Sequence, residues 1–385
     1  MMRARKKNIL RSVTILLAVW IALPGTAQKR ASALEPVTSA AGAALFEVQS
    51  GRLLYGDNEH QKGYMASTTK IMTALLAIEC CNLDEMVEIP NEAVGTEGSS
   101  VYLARGESMS MRDLLYGLML VSGNDAAVTI ATRIGGSIEK FAELMNARAE
   151  KIGCQNTHFA NPNGLPNENH YTTAYDLGLI AAEAMRNETF RQIVGTTYHQ
   201  TDTGDRQRTF KNKNKVLWQY DGGNGVKTGF TKAAGRCLVF SAERDGMTLV
   251  GVVLNAPQMW DDAYALLDYG FALVENKRLV EAERPLGTVQ VNEGEKKQLA
   301  VYPKYDILYP LMLDGSDTIA WDMQMTDSLE APVEAGAEAG CLQLRINGET
   351  AMTVPLVVTE GTERKSTKNL IRRIWELFVG MDQAG

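Results

Sequence analysis

The chain has 385 residues, 45% of them hydrophobic and 22% charged, a length suited to about two globular domains. Its formal net charge of -7 argues against general nucleic-acid binding. Five cysteines (Cys80, Cys81, Cys154, Cys237 and Cys341) are odd in number and irregularly spaced, which does not suggest a disulfide framework. The four histidines, His60, His158, His170 and His199, stand in no zinc-like spacing with them, so the sequence predicts no metal or other cofactor.

At the N-terminus, Arg3, Arg5, Lys6, Lys7 and Arg11 precede an apolar stretch, Val13 to Leu23, that is too short for an ordinary spanning helix. The small-x-small sites Gly25-Thr26-Ala27 and Ala31-Ser32-Ala33 follow. The pattern predicts an export signal over residues 1–33, cleaved after Ala33, with Ala27 as the second site and an uncleaved anchor as the alternative. In each case the body of the protein works outside the cytoplasm.

Ala41 to Val48 and Arg52 to Tyr55 read as a β-hairpin bent at Ser50-Gly51. Ser67-Thr68-Thr69-Lys70 then opens a run that is apolar on every face, Ile71 to Ile78, the mark of a buried helix. Residues three apart share a helix face, so Ser67 and Lys70 point the same way at the helix start. A hydroxyl beside an amine that can take its proton is the minimal layout of an activated nucleophile. The spacing alone is weak, because Ser137-Ile138-Glu139-Lys140 repeats it and reads as an ordinary helix start.

Ser110 to Asp113 resembles a capping box at the start of a second helix, which stops at Ser122-Gly123-Asn124. By itself that corner reads as a pair of helix caps. Ile138 to Ile152 is an amphipathic helix, Asn156 to Tyr171 a long loop, and Thr172 to Asp176 the start of another helix. Thr196 to Leu217 reads as strands with a polar connection. Glycines bracket Lys227-Thr228-Gly229 just before, or on, a strand beside the hairpin turned at Asp245-Gly246. Gly229 would let a ligand approach the backbone; the bland reading is a turn with a solvated lysine.

From Lys277 the character becomes all-β, with strands expected at Gly287–Val291, Lys297–Val301, Leu342–Ile346 and Ala351–Val358, and a loop from Glu330 to Gly340. The tail from Arg364 to Met381 places Leu370, Ile371, Ile374, Trp375, Leu377, Phe378 and Met381 on one helical face, with basic residues opposite. That is the pattern of an interfacial membrane anchor; the alternative is a helix packed on its own protein.

Ser67-x-x-Lys70, Ser122-x-Asn124 and Lys227-Thr228-Gly229 occur together, in this order, in one exported domain. The set marks β-lactamases and penicillin-binding proteins. The chain closely resembles the low-molecular-mass penicillin-binding proteins, the serine D-alanyl-D-alanine carboxypeptidases of peptidase family S11, over nearly its whole length, including the Asn161-Pro162-Asn163-Gly164-Leu165 loop.

The resemblance implies an α/β (α+β) transpeptidase-like domain with a central antiparallel sheet at 34–276. A small β-rich domain at 277–361 and an anchoring tail at 362–385 complete the chain. It implies that Ser67 attacks the bond between two terminal D-alanines of a peptidoglycan stem, with β-lactams as covalent inhibitors. Lys70 would be the neutral base, its pKa lowered by burial and by Lys227, and Ser122 the proton relay. Asn124 would orient Lys70 and the substrate amide, Lys227, Thr228 and Gly229 would bind the terminal carboxylate end, and the backbone N–H groups of Ser67 and Phe230 would form the oxyanion hole.

Met65 departs from the proline common in the family. Glu168 lies where a β-lactamase carries its deacylating glutamate but lacks that motif's surroundings and reads as a loop residue, while His170 and Asp176 are expected to shape the site without carrying a step. Rival readings are a β-lactamase, a DD-endopeptidase or transpeptidase, and a non-catalytic wall-binding protein.

Overall fold

The structure is a computed structural model that describes residues 34–365 other than Asp205. The expected export signal at 1–33 and nearly all of the expected anchoring tail lie outside the described residues. The chain divides into two compact units, one ending at Glu275 and the other beginning at Asn276.

The first unit is built on a five-stranded antiparallel sheet. Its strands are β1 (Gly42–Glu47), β2 (Leu53–Asp57), β3 (Gly223–Thr231), β4 (Gly235–Arg244) and β5 (Met247–Leu254), in the order β2-β1-β5-β4-β3. The expected hairpins are present, turning at Ser50-Gly51 and at Asp245-Gly246, where both residues have positive φ. All eight residues of β5 are buried, because helices cover both faces of the sheet.

The helices are α1 (Lys70–Cys80), α2 (Met111–Leu120), α3 (Asn124–Gly135), α4 (Ile138–Ile152), α5 (Ala174–Arg186), α6 (Glu188–Gly195) and α7 (Met259–Leu273). Successive strand residues face opposite sides, and β1 shows the consequence. Phe46 meets α5 at Gly178, where an added Cβ would lie 2.3 Å from the ring, and Leu45 meets α7 at Gly270, at 2.5 Å. Glycine at each crossing lets helix and sheet touch without a void.

α1 is the buried helix expected from its sequence: every residue from Lys70 to Ala77 is inaccessible. Ser110 and Thr173 cap α2 and α5, each accepting from the N–H three residues on. Short ribbons pair Met86–Glu88 with Ser108–Ser110 and Tyr198–Gln200 with Thr209–Lys211.

The described residues of the second unit are all-β, with a six-stranded sheet and their own core around Val289, Leu299, Val301, Leu344, Val354 and Leu356. The stretch from Glu330 to Gly340 is only partly the expected loop. Ser328–Glu330 pairs in parallel with Gly287–Asn292, and the strand expected at Leu342 already begins at Glu338. Neighbouring strands supply backbone partners there, which override the weak local propensity of Ala, Glu and Gly. Among the described residues no helix is long and apolar enough to cross a membrane.

Candidate active site

Ser67 sits in a single 3₁₀ turn, Ala66–Thr69, that runs directly into α1. The turn is entered through Ala66 at φ +47°, a region a non-glycine residue seldom adopts. Side chains hold it in place. Thr69 Oγ1 donates to the Ala66 carbonyl at 2.8 Å and lies 2.7 Å from His170 Nε2. His170 Nδ1 accepts from the Ala160 N–H at 3.0 Å, so the ring proton is on Nε2 and points at Thr69. Burial, then the charges of His158 and Lys70, push the His170 pKa down to about 4. His170 thus braces the nucleophile turn as a neutral ring, shaping the site without a step of its own.

Lys70 is fully buried, and its Nζ lies 3.1 Å from Ser67 Oγ, 2.7 Å from Asn124 Oδ1 and 2.6 Å from the Asn163 carbonyl. Burial first, then the charge of Lys227 and less so of Lys213, hold its pKa well below the usual lysine value; Asp125 acts the other way. A neutral amine has two N–H donors and one lone pair. The two shorter contacts are to acceptors that can only accept. They take the donors and leave the lone pair facing the Ser67 hydroxyl. Burial and the neighbouring lysine charges thus favour the neutral amine, and the two non-donating oxygens aim its lone pair at Ser67.

Asn124 is itself fixed, its Nδ2 donating to the Glu97 carbonyl at 2.5 Å. The Asn161–Leu165 loop is tied by Asn161, whose Oδ1 accepts from the Gly164 N–H at 2.7 Å, and by Thr73, which donates to the Pro162 carbonyl at 2.6 Å. At the corner between α2 and α3, Ser122 has φ +70°. Its Oγ is buried and without a hydrogen-bond partner among the described residues. A buried unpaired hydroxyl is uncommon, and this one lines a cavity of about 640 Å³ together with Ser67, Thr228, Gly229, Phe230, Lys213 and Trp260.

Lys227, Thr228, Gly229 and Phe230 lie on β3, the edge strand, which leaves backbone groups on its outer side unpaired by the sheet. Lys227 is buried, donates to the Thr228 carbonyl at 2.9 Å, and has its pKa lowered to about 7 by burial and then by Lys213. Gly229 lines the cavity and also packs against the nucleophile turn. An added Cβ would stand 3.1 Å from the Ser67 nitrogen and from the Met65 carbonyl, so the close approach it permits is that of the nucleophile turn.

Direct hydrogen bonds thus join Ser67, Lys70 and Asn124, and the cavity joins Ser67 to Ser122, Thr228, Gly229 and Phe230. Lys227 couples to Lys70 by charge. Asn163, His170 and Lys213 are the site residues that the motifs missed. Their nearest signal is polarity inside loops. The decoys separate cleanly. Ser137 accepts from the Lys140 N–H as a plain N-cap, and Glu168 is exposed. Asp176 accepts from the Gln155 and Asn156 N–H groups. All five cysteines are free.

Comparison with known proteins adds a separate line of observation. The family model of D-alanyl-D-alanine carboxypeptidase (peptidase S11) matches residues 28–258, and that of the C-terminal domain of penicillin-binding protein 5 matches residues 275–364. D-alanyl-D-alanine carboxypeptidase DacF of Bacillus subtilis is 32% identical over 346 residues, 87% of this chain and 88% of that one. Penicillin-binding protein 5 from Haemophilus influenzae superposes with a TM-score of 0.66 at 28% identity, covering 86% of this chain and 99% of that one. The DD-transpeptidase of Streptomyces K15 gives 0.59 at 38% identity, covering 62% and 99%.

Proposed function

The chain belongs to the peptidase S11 family of D-alanyl-D-alanine carboxypeptidases, and we propose that it removes the terminal D-alanine from peptidoglycan pentapeptide stems through an acyl-enzyme at Ser67. The observation that carries the residue assignment is the seating of the Lys70 amine between Ser67 Oγ, Asn124 Oδ1 and the Asn163 carbonyl.

In this reading the terminal carboxylate of the stem meets Lys227 and Thr228. Its negative charge raises the lowered Lys227 pKa and keeps that side chain an ammonium. Ser67 Oγ attacks the penultimate D-alanyl carbonyl while its proton passes to Lys70 Nζ. The N–H groups of Ser67 and Phe230 receive the developing oxyanion. Lys70 then returns the proton through Ser122 to the departing amine, the C–N bond breaks, and D-alanine leaves. Water, losing a proton to Lys70, attacks the Ser67 ester; the acyl–oxygen bond breaks, the shortened peptide leaves as its carboxylic acid, and Lys70 returns the proton to Ser67 Oγ. A β-lactam enters by the same attack, and its opened ring remains tethered to Ser67.

We also infer that the protein acts outside the cytoplasm, exported by residues 1–33 and held at the outer face of the cytoplasmic membrane through residues 364–381. The composition of those segments supports this reading. Truncation after Gly361 should release the protein from the membrane fraction; retention would remove the tail from the account.

Fluorescent penicillin should label the wild-type protein and not Ser67→Ala, and the purified protein should release D-alanine from a pentapeptide. Undiminished labelling of Ser67→Ala sinks the nucleophile assignment. Rapid loss of label as hydrolysed drug, without D-alanine release, favours a β-lactamase.

A further inference from the structure

Residues 212–215 join the strand Thr209–Lys211 to the short helix Val216–Gln219. Two buried asparagines hold this connection from within. Asn212 Nδ2 donates to the Val194 and Thr196 carbonyls, both at 3.0 Å, and its Oδ1 accepts from the Asn214 N–H at 2.9 Å. Asn214 Oδ1 in turn accepts from the Val216 N–H at 3.1 Å. With alternate residues pinned inward, Lys213 and Lys215 are turned out into the cavity that contains Ser67 and Ser122.

Lys213 reaches the end of α2. Its backbone N–H donates to the Leu120 carbonyl at 3.2 Å and its Nζ to the Val121 carbonyl at 3.0 Å. Carbonyls at a helix C-terminus lack intrahelical partners and attract a cation. The next residue is Ser122, with its left-handed backbone and unpaired hydroxyl.

We infer that Lys213 is a positioning residue of this site, clamping the Leu120–Ser122 corner and holding a third positive charge against Lys70 and Lys227. The inference rests on the reading of Ser67, Lys70 and Ser122 as nucleophile, base and relay. Its chemical consequence concerns the proton. Once Lys70 has taken the proton from Ser67, the resulting ammonium is disfavoured by the positive charges of Lys227 and Lys213 and, among the described residues, favoured by the negative charge of Asp125. Passage of that proton through Ser122 to the leaving amine is thereby favoured. Lys227 faces Lys213 as well, and Lys215 and Arg236 add positive charge on the cavity wall.

A simple helix cap would show the clamp without the charge effect, and the two can be separated. The rate of penicillin acylation is measured against pH for wild type, Lys213→Met, Lys213→Gln and Lys213→Arg, at low and high salt, with melting temperature as the check on folding. Glutamine keeps a donor for the Val121 carbonyl but no charge; arginine keeps the charge.

Removing the charge should move the acid limb up by about half a pH unit, making acylation on that limb about threefold slower. The shift should appear in both neutral variants and be absent in Lys213→Arg. Because Lys213 is exposed, the shift should shrink at 1 M salt, where the screening length falls to about 3 Å. A limb that stays in place in folded neutral variants overturns the inference, as does equal loss at every pH and salt. So does an arginine variant displaced as far as the methionine one. Failure of wild type to label at all would instead sink the functional reading beneath it.

Discussion

Gly164→Ala tests whether the Asn161–Leu165 loop aims the base. Gly164 has φ +88°, and a Cβ on it would stand 1.8 Å from the Ala66 carbonyl oxygen and 2.3 Å from its carbon. Ordinary contact begins at 3.4 Å, so loop and nucleophile turn must part by about 1.6 Å. Both opposing atoms are backbone, and no side-chain rotation relieves them. If the loop moves, the bond from Lys70 Nζ to the Asn163 carbonyl opens from 2.6 Å to roughly 4 Å, beyond hydrogen-bond range. The amine loses one of the two acceptors that direct its lone pair at Ser67.

Overpacking costs about 1–3 kcal/mol and the left-handed backbone about 1 kcal/mol more, hence a total of about 2–4 kcal/mol. For a unit of this size each kcal/mol lowers the melting temperature by about 2–4 °C. A reacting group misplaced by an ångström costs on the order of a hundredfold in rate. Thermal denaturation and the second-order rate of penicillin acylation read the two effects. A Gly164→Ala protein with wild-type values for both would refute the placement of this loop against the nucleophile turn.

Asn124→Asp places a carboxylate 2.7 Å from Lys70 Nζ and should raise its pKa by about 1–3 units. Acylation at neutral pH should fall about ten- to a thousandfold and recover as pH is raised; an unchanged pH profile would contradict the neutral-base argument. His170, neutral in the folded protein with a pKa of about 4, contributes stability that is complete above its unfolded value near 6.5. That contribution, about 3 kcal/mol, is lost as pH falls toward 4. Denaturant titrations from pH 7 to 4 should show the loss, reduced in His170→Gln. The free Lys227 amine, with a pKa near 7, should make the KM for a carboxylate-ended peptide rise above neutral pH; a flat KM would count against a carboxylate role. Ser137→Ala should cost about 1 kcal/mol of stability as a lost N-cap and leave labelling intact, whereas loss of labelling would revive the second Ser-x-x-Lys.

Which parts of the site are legible in sequence follows from how each is encoded. Ser67 and Lys70 are three residues apart, and local helical geometry alone brings them together. Ser122-Gly123-Asn124 is legible as an interruption between two apolar helical runs. Lys227 to Gly229 is legible because a hairpin signal fixes the strand beside it. Asn163 acts through its backbone carbonyl, which every residue possesses, so nothing in its side chain announces the role. His170 is legible as a residue that shapes the site, but its partner is not, because only the fold sets it against Thr69. Lys213 is a lysine in a polar connection, and only the crossing of that connection over the end of α2 gives it a task. The partial misreading of Glu330 to Gly340 has the same origin. Ala, Glu and Gly carry little strand preference, and the neighbours that order them come from elsewhere in the chain.

The charge arrangement connects folding to the reaction. Lys70 and Lys227 are both buried, and neither forms an ion pair among the described residues. Burying a cation without a partner costs several kcal/mol unless its pKa falls, and both pKa values do fall. A carboxylate placed beside Lys70 would offset part of that cost, but it would fix the amine as an ammonium and leave Ser67 without a base. The site therefore retains a destabilising feature that the rest of the domain offsets. A substrate ending in a carboxylate brings the missing negative charge to Lys227 rather than to the amine that must stay neutral. Binding can then compensate one lysine while leaving the other reactive, which ties selection of a free C-terminus to the same charge balance that activates the serine.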